Sequence, residues 1–235
     1  QCAVAGNFRS GHAYGMLSLR LIEAFGAEDL RARVHMLFNT FVRQWSEGRE
    51  AVAAHLLQGE EAGIASGDLE FATYCLWHRL NDAFWAGAAL DRIAPEIAES
   101  LLVCRGYHQS KVAFLLGMMQ DFVVWATEAD APEPDDAGHV RYCLERQDYT
   151  SLCYVRLYQA LRHAVAGDAQ ASLAATGEIV AHFASLQGQF YVPFFVFLRS
   201  HAAAVLAMTE RRDRAQHLRL ARAGARQLRR WTGKG

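Results

Sequence analysis

Tyr74, Trp77, His78, Asn81 and Trp85 fall within about 100° of one another when residues 68 to 86 are wound as a helix at about 100° per residue. Aromatic rings beside an imidazole and a carboxamide suit a groove for a peptide or small molecule, so Tyr74, Trp77, His78 and Asn81 are the candidate ligand or partner face. The competing reading is that this face packs on a neighbouring helical unit. His78 and Asp82, four residues apart, could orient a proton-transfer group, although a surface hydrogen bond explains the spacing as well. Cys75 with His78, and Cys104 with His108, each supply two metal ligands. No second pair is spaced to complete the four of a structural zinc site. The ten histidines form no Ser-His-Asp or Cys-His arrangement, so no catalytic residue, metal or cofactor is expected.

A second chemistry lies near the end of the chain. Arg211, Arg212, Arg214, Arg219, Arg222, Arg226, Arg229 and Arg230 make the last predicted helix strongly basic. Arg219, Arg222, Arg226 and Arg229 line one face of it, and Leu218, Ala221, Ala225 and Leu228 another. Such a row suits phosphates or an acidic partner. Its simpler readings are a solvated face, or one that meets a part of a longer parent chain. The acids Glu128, Asp130, Glu133, Asp135 and Asp136 offer the row a partner across a subunit contact.

The elements that carry these residues are set by a repeat. Trp45, Trp85 and Trp125 stand forty residues apart. One set of turns, at Gly26, Gly67, Gly106, Gln147-Asp148 and Gly188, keeps nearly that period. A second set, at Gly48, Gly87, the 128 to 136 loop, Gly167 and Arg211, alternates with it. Two turns per period predict stacked helix pairs, each burying a face it cannot bury alone. Eleven helices are expected, over about 12–25, 28–46, 49–66, 68–86, 88–104, 107–127, 137–146, 148–166, 168–187, 190–209 and 212–231. Leu69, Ala72, Leu76, Leu80 and Ala83 make an apolar stripe on the fourth. In Ser66-Gly67-Asp68 and Ala166-Gly167-Asp168 the glycine takes a left-handed turn and the aspartate caps the next helix. The three tryptophans each close the second helix of a unit, where packing explains them first. Pro193 falls in a first turn, where a missing N–H is tolerated.

The expectation is therefore an all-α helical repeat array of about eleven antiparallel helices, a tetratricopeptide-like superhelix with a period near 40 residues. It forms a single domain, 1–235, which an acidic, proline-bearing loop at 128–138 interrupts. A chain 52% hydrophobic and 21% charged has ample core material, and a formal charge of −1 gives no field for nucleic acid or an anionic membrane. The apolar run from Phe190 to Leu198 is too short to span a bilayer before Arg199 ends it. Five cysteines without a CxxC pair fit buried, reduced thiols in the cytoplasm. The start at Gln1 points to a piece of a longer polypeptide.

These residues carry a resemblance. Tyr14-Gly15, Leu19-Arg20-Leu21, Arg33-Val34 with Phe38, Phe41-Val42 and Trp45 resemble the tetratricopeptide-like helical region of large bacterial multidomain sensors. The run Gly63-Ile64-Ala65-Ser66-Gly67-Asp68-Leu69-Glu70-Phe71-Ala72 and Gly87 with Leu90 continue it, and the end near Gln227-Leu228 and Trp231 is similar too. In those proteins the region comes after an AAA-type ATPase module. A serine/threonine kinase domain commonly precedes that module, and GAF and histidine-kinase domains come after the helical region. The resemblance implies a cytoplasmic, non-enzymatic scaffold or regulatory segment whose partners are the flanking ATPase and kinase modules or other proteins. The chain contains no GxxxxGK[ST], GxGxxG, HRD or DFG signature, and Gly233-Lys234-Gly235 lacks the loop of a phosphate cradle. The alternatives are a superhelix that senses a small-molecule effector and an enzyme with a site assembled between helices. Self-association through exposed end repeats is a further expectation.

Overall fold

The computed structural model describes residues 7–232; Cys2 and Gly233-Lys234-Gly235 lie outside them. Among the described residues are eleven α-helices and no strand, so the chain is all-α. It divides into two compact units, residues 1–134 and 135–235. The first holds α1 (Phe8–Phe25), α2 (Arg31–Phe41), α3 (Arg49–Ser66), α4 (Leu69–Trp85), α5 (Leu90–Gly106) and α6 (Ser110–Thr127). The second holds α7 (Asp136–Glu145), α8 (Tyr149–Val165), α9 (Ala169–Ala181), α10 (Val192–Thr209) and α11 (Arg214–Thr232).

Helix ends obey local chemistry. Asn7 caps α1 by accepting from the Ser10 amide at 3.1 Å, and Asp148 and Asp168 cap α8 and α9 in the same way at 3.1 and 2.9 Å. Asp68 departs from this expectation. Its carboxylate accepts from Arg33 Nε of α2 at 2.9 Å and makes no capping bond. Gly26, Gly67, Gly87, Gly167 and Gly188 hold left-handed turns, but three turns place that conformation on another residue, the last of them on Asp213 at φ 58°. Gly106 ends α5 inside the helix and His108 takes φ 56°; at the next repeat Gln147 takes φ 52°.

The stretch expected as one helix over 28–46 is broken. Short 3-10 turns, Glu28–Leu30 and Arg43–Trp45, flank α2, and Val42 sits at φ −131°. The break turns Arg43 inward, 2% exposed, over the Phe38 ring at 4.5 Å. The stretch 168–187 likewise splits at His182, φ −119°, before the 3-10 turn Phe183–Leu186. There the His182 ring stacks on Tyr149 at 4.4 Å and its carbonyl accepts from Cys153 Sγ at 3.7 Å.

In each unit the main packing joins helices that are consecutive or next but one in the chain: α2 with α3 and α4, α4 with α5 and α6, and α8 with α9 and α10. Helix α4 is therefore enclosed by four neighbours. Ala72, Cys75, Leu76 and Leu80 are buried on one side of it, and Trp77, His78, Asn81 and Phe84 on the others. Gly59 and Gly63 let α3 lie against both α2 and α4: a Cβ at Gly59 would stand 2.6 Å from His35 Cβ and 2.7 Å from Cys75 Sγ. Arg79 of α4 ties in two more helices, pairing with Glu60 of α3 at 3.3 Å and with Glu96 of α5.

The forty-residue spacing is the spacing of alternate helices. Trp45 ends the turn after α2, Trp85 is the last residue of α4, and Trp125 lies in the last turn of α6. Trp45 meets Phe8 of α1 at 5.9 Å. Trp85 and Trp125 flank the edge-to-face pair Phe84–Phe122, 5.3 Å apart, which joins α4 to α6. In the second unit Tyr154, Tyr158 and Tyr191 are buried, with the Tyr154 hydroxyl bonded to the Gln189 side chain. Helix α10 is long and apolar enough to cross a membrane by composition alone, but half of it is buried against its neighbours.

Candidate functional site

The α4 face expected to take a ligand lies inside the first unit. Trp77 is 1% and Asn81 0% exposed, and His78 is buried beside them. Tyr74 is half-buried and packs with Phe71 on Met36, Val52, Leu56 and Cys75. What the structure brings together here is a core with polar members. The imidazole has lost water: burial pushes His78 down to about 3, so it stays neutral.

The thiols are similarly inert. Burial raises Cys75 far above its ordinary value, and pushes Cys104 up to about 11 and Cys153 up to about 12. Cys75 Sγ donates to the Ala32 carbonyl at 3.7 Å. Among the described residues no three His, Cys, Asp or Glu side chains converge as metal ligands.

A polar constellation that the sequence did not single out joins α1 to α2. Arg43 Nε lies 3.1 Å from Glu47 Oε1, and His12 Nε2–H donates to that same oxygen at 2.7 Å. Arg43 also reaches Asn39 Oδ1 at 3.4 Å, and the Asn39 amide donates to the His35 carbonyl at 2.6 Å. One carboxylate oxygen thus meets the His12 imidazole of α1 through a hydrogen bond and the Arg43 guanidinium of the turn after α2 through an ion pair. That is a clamp on α1; the Arg43 and Glu47 spacing of four is visible in the sequence, whereas His12 joins only through the fold. Burial disfavours the ionised Glu47, but the His12 hydrogen bond and the Arg43 charge outweigh it and hold the carboxyl below its ordinary 4.5.

These groups make the first unit acid-sensitive. Burial, with the charges of His55, Arg31 and Arg43, pushes His35 down to about 4. His35 and His78 both sit below the ordinary 6.5, so the unfolded chain takes up protons first and their contribution, full above pH 6.5, is lost as pH falls toward 4. Glu47 adds in the same direction below 4.5. Urea unfolding of the first unit is expected at a markedly lower midpoint at about pH 4.5 than at about pH 7, with His78→Gln reducing the difference. An equal midpoint at both values, or a difference untouched by the variant, contradicts this.

Two outer faces remain. On α1, Tyr14, Leu17, Leu21 and Phe25 recur at i, i+3, i+7 and i+11; Tyr14 is 65% and Phe25 81% exposed, and both leucines are nearly half exposed. On α11, Arg219, Arg222, Arg226 and Arg229 are all exposed, on the side away from Gly224, which is buried against Ser200 of α10. A third feature is an open groove of about 550 Å³ on α7, lined by Ala137, Val140 and Leu144 together with Asp136, Arg141, Glu145 and Arg156 of α8. Comparison with known protein families, with curated proteins and with solved structures finds no match for this chain.

Proposed function

We propose that the chain is a non-catalytic helical-repeat scaffold or regulatory segment, which makes protein or interdomain contacts within a cytoplasmic bacterial signalling protein that carries ATPase and kinase modules. The exposed stripe of α1 supports this reading most. Four large apolar side chains in one row on a helix form the kind of patch that a partner covers. Packing between consecutive and next-but-one helices also suits the role, because such stacks present long surfaces. The sequence resemblance, densest over residues 12 to 100, supports an AAA-type ATPase module and a serine/threonine kinase module as the partners in this proposal.

Titration of the chain against each module, separately expressed, tests the reading. Saturable binding to one of them is expected. Burying a leucine is worth about 1.5–3 kcal/mol, so Leu17→Glu with Leu21→Glu should weaken it about a hundredfold or more. A folded chain that binds neither module, or binding that the double variant leaves unchanged, sinks it.

A second reading, a sensor of a small-molecule effector, is favoured by the α7 groove, whose volume lies in the range of ligand sites. Thermal-shift screening with metabolites, repeated on Leu144→Arg, separates the two readings. A compound that stabilises the chain but not the variant supports the sensor; equal shifts in both speak against that groove.

A further inference from the structure

The formal charge of −1 conceals a strong separation. Residues 1–134 carry ten Lys and Arg against seventeen Asp and Glu, a net −7; residues 135–235 carry fourteen against eight, a net +6. Six of those fourteen cations lie on α11, which has no acid at all. At about 100° per residue, positions 219, 222, 226 and 229 span about 80° of the helix, centred opposite Gly224. The row therefore points away from α10, and it extends about 15 Å along the helix. Arg219, Arg222 and Arg226 are exposed, and no carboxylate of the described residues pairs with them.

The complementary feature lies on the same chain. Residues 128–135 carry Glu128, Asp130, Glu133 and Asp135, no cation and no helix, and Pro132 and Pro134 keep the backbone from becoming one. Glu128 and Asp130 are exposed. A non-helical segment of this length, at up to about 3.3 Å per residue, can run along the whole arginine row.

We propose that the arginine face of α11 docks on the acidic segment 128–135 of a second copy of this chain. Two features favour a second copy over another anion. The complementary charges occur in equal measure on one polypeptide, and the near-zero total lets copies approach without long-range repulsion. The contact uses different surfaces on the two copies, so it either closes reciprocally as a two-fold dimer or propagates into a ring or a row of copies. It requires no other protein, so it stands or falls separately from the scaffold reading.

Sedimentation velocity over a concentration series tests it with two variants. One carries Arg219→Glu, Arg222→Glu and Arg226→Glu; the other carries Glu128→Arg and Asp130→Arg. Wild type is expected to associate at about 25 mM salt and to do so about tenfold more weakly at about 300 mM, because these charges are solvent-exposed. Each variant alone is expected to be monomeric. Mixing them restores association, since each then supplies the surface the other has lost. Circular dichroism matching wild type confirms that both variants are folded. Three outcomes overturn the proposal: monomeric wild type at low salt, association that both variants retain, or salt-dependent compaction independent of concentration, which would place the pairing within one chain. Retention on an oligonucleotide by a chain that stays monomeric overturns it as well and identifies a nucleic-acid partner.

Discussion

Trp77→Ala is expected to destabilise the first unit by about 3–5 kcal/mol, the cost of removing a large side chain from a closed interior. The indole is 1% exposed on a helix that four others enclose, so its loss leaves a cavity that fixed neighbours cannot fill. Tyr74→Ala, on the half-buried rim of the same face, should cost clearly less. Urea unfolding monitored by circular dichroism reads both. A loss for Trp77→Ala no greater than for Tyr74→Ala would mean that the ring faces open space, and would revive the ligand face on α4.

Gly59→Ala and Gly63→Ala should each destabilise the chain by about 1–3 kcal/mol, against the ordinary gain from placing alanine in a helix. The added methyl at Gly59 meets His35 Cβ and Cys75 Sγ, and at Gly63 it comes within 2.8 Å of Ala72 Cβ and 2.9 Å of the Asp68 carbonyl oxygen. These are side-chain roots and backbone, which cannot move without shifting a helix. Gly117, inside α6 with nothing near its ideal Cβ, is the control. Gly117→Ala should stabilise by about 0.5–1 kcal/mol. Thermal unfolding of the three variants decides by sign: stabilisation by all three would mean that α3 does not lie as close to α2 and α4 as it does here.

The eleven helices are readable in the sequence because most are bounded by turns whose chemistry is local. Gly67 and Gly167 take left-handed conformations, and Asp148 and Asp168 cap α8 and α9. Where a distant residue intervenes, local chemistry misleads. Asp68 pairs with Arg33 of α2 and makes no cap, and the expected long helix breaks at Val42, beside which Arg43 lies over the Phe38 ring. The left-handed positions at His108 and Gln147 carry no glycine to announce them.

The α4 face shows the deeper limit. A helix bearing Tyr74, His78 and Asn81 opposite an apolar stripe looks amphipathic, and amphipathic helices are expected to have a wet side. Helix α4 has none, because next-but-one neighbours α2 and α6 close the side that a simple pair would leave open. Periodicity reports which residues share a face; only the fold reports how many faces are covered. The exposed stripe of α1 is hidden for the converse reason, since Tyr14, Leu17, Leu21 and Phe25 look like core until the partner helix proves to lie elsewhere.

Hydrogen exchange along the intact chain tests most directly whether α4 is the enclosed helix of the first unit and α1 an outer one. Amides of residues 72 to 84 in α4 should be the slowest of the first unit, opening only when the unit unfolds, while those of α1 exchange orders of magnitude faster through local opening. Protection of α4 no greater than that of α1 would contradict the enclosed helix, and with it the proposal that partners meet the outer surfaces.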